Sequence, residues 1–330
     1  MKILEKRNLQ ILFGFAVSAL FLYLTFKDVD LGKMIDSAKS FNYFFLLISI
    51  SLVLISLLLK SLRWAWILRP IINLDQRMIF PISSIGIAAI TILPLRLGEI
   101  VRPYLVSRLK EISFSSALAS ILFERLMDSL MIFLLLSVVV LLSSLPEFVI
   151  KTGQVLFLSF IVVLLLLTFV YKNQEKSKAL LHLVINFLPK KIKDLILRFF
   201  DKFFLGLLIL SSPIDILKVL LLSIILWVVY ISIAYNMFQF HNFDLPFIAA
   251  FSVVLFTFLA ASLPAAPGFL GTFQYGCFLA LTAFNVPTDQ AALFSLTYYV
   301  VMVGMNVILG IIVIPFVNLD FNSLKSKSWF

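Results

Sequence analysis

The chain has 330 residues, is 62% hydrophobic and only 13% charged, and carries a formal net charge of +10. With a mean hydropathy of +1.09, against roughly 45–50% apolar residues in an ordinary soluble domain, it cannot bury its apolar surface in one aqueous core and reads as a polytopic membrane protein. In such a chain the cationic surplus marks loops that fix topology and meet anionic lipid, and not a nucleic-acid surface.

The start, "MKILEKR", is basic and precedes apolar Leu9–Phe26. The run is long and no small-x-small cleavage site follows it, so it is expected to be a retained first helix with a cytoplasmic N-terminus. Further full spans are expected over 41–62, 115–144, 153–171, 213–237 and 288–316, giving about six. Loop 27–40 balances its charges and suits the outside. Lys60, Arg63, Arg69 and Arg77 then fall on the inside, with Arg63 as an interfacial anchor beside Trp64 and Trp66 or as part of an internal site. Segment 172–202 holds eight cations against three acids, +5. It is expected as a basic amphipathic cytoplasmic segment on the anionic inner leaflet. The tail, with Lys325 and Lys327, also falls inside.

This scheme requires 78–112 to enter the membrane and return. Met78–Pro94 is 17 residues, about 25 Å of helix against a core of about 30 Å. Pro94 and Gly98 then break it, and the following arm carries Arg96, Glu99, Arg102, Arg108 and Lys110. Such an arm cannot face lipid, so 78–112 reads as a re-entrant hairpin opening on a polar cavity. The pattern recurs. Leu93-Pro94-x3-Gly98 matches Leu263-Pro264-x3-Gly268 at an offset of 170, which also carries 41–62 onto 211–232 and 115–144 onto 285–314. The second copy starts from the opposite side. The expected fold is an all-α polytopic membrane protein of about six full spans plus two re-entrant helical hairpins. Units 41–144 and 211–314 form an inverted repeat within one membrane domain, 1–330.

"ILFERLMDSL" places Glu124, Arg125 and Asp128 inside a helix. An unpaired charge at the bilayer centre costs about 2.5–3.5 kcal/mol even on a lenient scale, so these groups should face inward and pair with Arg96 and Arg102. Arg63, Arg96, Arg102 and Arg125 outnumber Glu99, Glu124 and Asp128. That surplus suits a phosphate, which guanidinium binds bidentately. The alternative is a purely structural ion-pair network. Pro264, Pro267, Gly268 and Gly271 are expected to shape the second turn, with Gln274 the long polar side chain beside it. Cys277 is the only cysteine, which excludes disulfides and Cys-based metal sites. His182 and His241 lack ligand spacing and are expected at a surface or interface. No nucleotide, hydrolase or metalloprotease motif is present, and no cofactor or metal is expected.

"RW" at 63–64, "LPLRLGEIVRPYLV" at 93–106, "ERLMD" at 124–128 and "PAAPGFLGTFQ" at 264–274 resemble the lysylphosphatidylglycerol synthase transmembrane-region family, also called the flippase-like domain family. The resemblance runs over about 10–316. In multidomain relatives the module precedes a soluble aminoacyl-transferase domain, which is not expected here. The module itself is associated with moving modified lipid across the bilayer, and other members are described as glycosyltransferases. The resemblance implies translocation of an anionic phospholipid or polyprenyl-phosphate-linked lipid across the cell membrane. The competing readings are an integral-membrane transferase with Glu99, Glu124 or Asp128 as base, and a membrane partner for a separate lipid-synthesising enzyme. The family often has Gly-Gly after the second proline and Glu near 274. Gly268-Phe269 and Gln274 depart from that, which argues against proton coupling through the second hairpin.

Overall fold

The computed structural model describes residues 2–93, 98–110, 112–142, 172–187, 189–206, 212–263 and 265–317, with isolated helical positions, single or in pairs, between 151 and 169. The described residues form helices throughout and no strand. The first turn, 94–97 with Pro94 and Arg96, lies outside them, as do Pro264 and most of the span expected over 153–171.

Helix α1 (Lys2–Phe26) bends by 79° into the short α2 (Leu31–Ala38). Asp30 caps α2 by accepting from the Gly32 and Lys33 amides, so the chain turns here instead of continuing. Helix α3 (Tyr43–Leu68) is followed by α4 (Gln76–Ile92), α5 (Gly98–Leu109) and α6 (Phe114–Leu142). Helices α7 (Gln174–Val184) and α8 (Lys190–Gly206) split the expected amphipathic segment in two, with Pro189 at the break. Then come α9 (Pro213–Phe240), α10 (Phe247–Ala261), α11 (Thr272–Thr282) and α12 (Thr288–Tyr299). A π turn, Val300–Gly304, joins α12 to α13 (Met305–Ile312). By length and composition, α3, α9 and α12–α13 can cross a membrane, and the bent pair α1–α2 makes a fourth candidate.

Side-chain contacts set the directions of these helices. At one end, Asn42 N–H donates to the Phe240 carbonyl at 2.9 Å and Asp30 N–H to Asp289 Oδ1 at 2.7 Å. The starts of α3 and α12 and the close of α9 therefore share one level. At the other end, Trp66 is flanked by the Arg69 guanidinium at 4.3 Å and Lys218 Nζ at 4.4 Å. Gln76 at the head of α4 accepts from Ser61 near the foot of α3 at 2.9 Å. Trp64 donates to Ser120 near the head of α6 at 2.9 Å.

Helix α5 packs antiparallel on α4, since a Cβ on Gly98 would meet Ile90 and one on Gly86 would meet Arg102, and α11 packs on α10. A Cβ on Gly98 would sit 2.0 Å from the Ile90 amide nitrogen, so only glycine lets α5 lie against α4. The second turn needs left-handed backbone at Gly268 (φ 76°) and Gly271 (φ 84°). Gly271 also lets α1 approach, since a Cβ there would meet the Ser18 carbonyl oxygen at 2.3 Å. The second turn approaches the end of α4, where a Cβ on Gly268 would lie 3.6 Å from the Thr91 carbonyl oxygen.

Candidate functional site

Burial decides the roles of the charged side chains. Arg63 leaves α3 one turn before its end and is 1% exposed. Its Nη1 donates to Asp128 Oδ1 at 2.6 Å and to Ser223 Oγ at 3.2 Å, and its Nη2 to Glu124 Oε1 at 3.1 Å. It is no interfacial anchor, and neither is Trp64, which is fully buried. Arg102 on α5 grips Glu124 with both ends of its fork, Nη1 to Oε2 at 3.0 Å and Nη2 to Oε1 at 3.2 Å. Its guanidinium lies 5.1 Å from the centre of the Trp64 ring. Its stem fills the space over Gly86, where a Cβ would come within 2.0 Å of Arg102 Cγ. Glu124, 2% exposed, thus ties α3, α5 and α6 together.

Arg125 differs from its neighbours. It stands 3.6 Å from both Glu124 Oε1 and Asp128 Oδ2, and 44% of its side-chain surface is accessible. One residue past Glu124 is about 100° around the helix, which carries it off the packed seam and into a cavity of about 320 Å³. Lys60, Arg63, Glu99, Arg102, Glu124 and Asp128 line the same cavity. Its other wall is largely apolar and comes from the second half of the chain, with Phe258, Phe269 and Phe273. So six of the seven predicted charged residues converge, and Arg96 lies outside the described residues.

Among the described residues, the second turn lines the cavity through Phe269. Gln274 is fully buried and its Oε1 accepts from the Gly271 amide at 2.7 Å, so that oxygen caps its own helix. Its Nε2 is buried with no partner among the described residues. Pro267 opens the turn, and Gly268, Phe269 and Gly271 carry its positive φ. His182 is exposed as expected, but His241 is not. It is 7% exposed, ringed by Phe41, Phe240, Phe243 and Phe294, and shares a 2.8 Å hydrogen bond with Thr297 Oγ1. The aromatic residues around it were legible in the sequence, but their convergence was not.

The family described as the lysylphosphatidylglycerol synthase TM region matches residues 11–310. The chain belongs to that family. It is also similar to a UPF0104 membrane protein of Methanocaldococcus jannaschii, 25% identical over 94% of this chain and 96% of that protein. No solved structure matches the chain. Family membership makes this a multi-pass membrane protein and points to a role connected with membrane lipid. Within that frame the sequence reading missed Lys60 and Tyr230. Lys60 precedes Arg63 by three residues and so shares its face. Its Nζ sits 5.3 Å from the centre of the Tyr230 ring, and both residues line the cavity. Asn306, two residues beyond the π turn, lines it too. Its amide donates to the Met302 carbonyl, while its Oδ1 is buried without a partner among the described residues.

Proposed function

We propose that the protein translocates an anionic phospholipid or polyprenyl-phosphate-linked lipid across the cytoplasmic membrane, with both termini cytoplasmic. The head group travels through the cavity while the acyl or prenyl tails stay in lipid. The observation that carries this reading is the two-faced cavity, with a cationic surplus on the wall from α3, α5 and α6 and an apolar wall from α10 and the second turn. A membrane interior tolerates such a charge cluster only where it serves a polar passenger or a pairing partner.

The reading takes α4–α5 and α10–α11 as re-entrant hairpins of two inverted units, 41–144 and 211–314. Their lengths support it: the 17 residues of α4 and 15 of α10 rise about 25 and 22 Å, short of a hydrocarbon core of about 30 Å. Broken helices meeting near the midplane are how transporters place a polar site in lipid. At the offset of 170, Glu99, Glu124 and Asp128 fall on Phe269, Phe294 and Tyr298. Of these mates Phe269 lines the cavity, beside Phe258 and Phe273, while Phe294 and Tyr298 are buried in the core.

A transferase has less support, because two of its three candidate bases, Glu124 and Asp128, are engaged by guanidinium groups, which leaves Glu99 in the cavity wall as its base. Head-group-labelled phospholipid in liposomes holding only this protein tests the proposal. Movement of label between leaflets above that of protein-free vesicles is the expected result. Absence of movement with every anionic phospholipid and polyprenyl phosphate tried removes the translocase reading.

A further inference from the structure

Within the translocase reading, we infer that Arg125 is the guanidinium that touches the lipid, that Arg63 and Arg102 only hold the cavity's shape, and that the ligand is a lipid phosphodiester of single negative charge with a small head group. Arg63 and Arg102 are each 1% exposed and have their fork nitrogens committed to Glu124, Asp128 and Ser223. Turning either toward a phosphate would strip a buried carboxylate of its partner, which is strongly unfavourable in a low-dielectric interior. Arg125 lines the cavity with 44% of its side chain accessible, and its two carboxylate contacts are long, 3.6 Å each. A phosphate oxygen can take that guanidinium without breaking a short hydrogen bond. Lys60, on the facing helix α3, adds a second cation to the same space as a point charge.

Charge balance and size then narrow the ligand. Among the described lining residues, the cations Lys60, Arg63, Arg102 and Arg125 exceed the acids Glu99, Glu124 and Asp128 by four minus three, or one. A phosphodiester carries one negative charge and matches that surplus. A phosphomonoester, with a second pKa of about 6, brings a further charge that the cavity leaves unbalanced. At about 320 Å³ the cavity sits at the small end of ligand sites, which run to about 1,000 Å³. It holds one phosphate with a small substituent and has no room for an oligosaccharide.

Isothermal titration of the purified full chain in neutral detergent with short-chain phosphatidylglycerol, phosphatidic acid and phosphatidylcholine at pH 7 tests this. Phosphatidylglycerol should bind at least fivefold more tightly than the other two. Arg125→Gln should weaken that binding at least tenfold, the scale of one charged hydrogen bond, with an unchanged unfolding midpoint. Arg125→Lys should recover part of the loss. Equal binding of phosphatidic acid and phosphatidylglycerol, unchanged binding in Arg125→Gln, or no binding of any of the three overturns the inference. Liposome transport separates this from the translocase reading. Arg125-dependent binding without movement of lipid defeats only the translocase, and movement that Arg125→Gln leaves intact defeats only the inference.

Discussion

Glu124 is the residue on which three helices depend, because it accepts from Arg63 and Arg102 while almost fully buried. Removing one member of a buried ion pair strands its partner's charge and costs about 3–5 kcal/mol. Glu124→Ala should therefore lower the thermal unfolding midpoint sharply in detergent, and Arg102→Ala should do the same. A midpoint within a degree or so of the parent in both variants would show that the network is not what holds α3, α5 and α6. His241 supplies a second test at this scale. In the turn after α9, burial among phenylalanines pushes its pKa from the ordinary 6.5 down to about 3. The unfolded imidazole takes up a proton below about pH 6.5 and the folded one does not until about pH 3. Its contribution to stability is complete above 6.5 and is lost progressively as pH falls across that window. Between pH 7 and 5, where ordinary carboxylates stay ionised, the midpoint of the parent should fall more than that of His241→Phe. Equal slopes would refute the assignment.

Pairs of short helices are the units that position the site. Their separation is set by glycine: α4 and α5 touch at Gly98 and across Gly86, and α13 closes on α4 at Gly310, where a Cβ would meet Ala88 Cβ at 2.2 Å. Gly98→Ala should part the arms of the first hairpin and displace Arg102, at a cost of about 1–3 kcal/mol. Gly304→Ala, in the π turn, is the control. The nearest atom to its Cβ would be Val300 Cγ1 at 3.8 Å, so it should leave the midpoint within about 1 kcal/mol of the parent. Equal losses in the two variants would mean that close helix approach is not the cause. The basic helices behave differently. Lys178 and Asp201 join α7 to α8 at 2.8 Å, and that carboxylate keeps the Lys178 ammonium protonated above its usual range. Leu183 and Phe187 on the same segment stay exposed.

For the molecule as a whole, the decisive question is which level each hairpin returns to. Contacts put Ser40 with the Phe240 end, where its carbonyl accepts from Asn242, and Ser107 one turn from the end of α5. In a Cys277→Ala background, cysteines at Ser40 and Ser107 should label from opposite faces of sealed vesicles. Labelling from one face would make α4–α5 a full crossing and reverse every later helix. The comparison of the two halves bears on the same point. Arg63 reaches across to Ser223, a position that the 170 offset relates to Val53. Val53 and Ile233, the mates of those two residues, lie in one core cluster.

Composition and charge periodicity alone determined that the chain is a helical membrane protein, because an unburied apolar excess and charges inside apolar runs have few physical solutions. They also called for Arg96, Glu99, Arg102, Glu124, Arg125 and Asp128 to share a cavity, since none of them can be left in lipid, and all but Arg96, which lies outside the described residues, line it. What they could not assign was which cation is free. Arg63, Arg102 and Arg125 are alike in a sequence, and Arg102 looked as good a ligand as any. Only tertiary packing set them apart. Gly86 and Trp64 confine Arg102, Ser223 from the other half of the chain occupies Arg63, and one step around α6 leaves Arg125 facing open space. His241 went the same way, buried by Phe41 and Phe294 from distant segments that no local pattern connects. A residue's partners are decided by which helices meet, and helix faces carry that information only as a direction until the bundle closes.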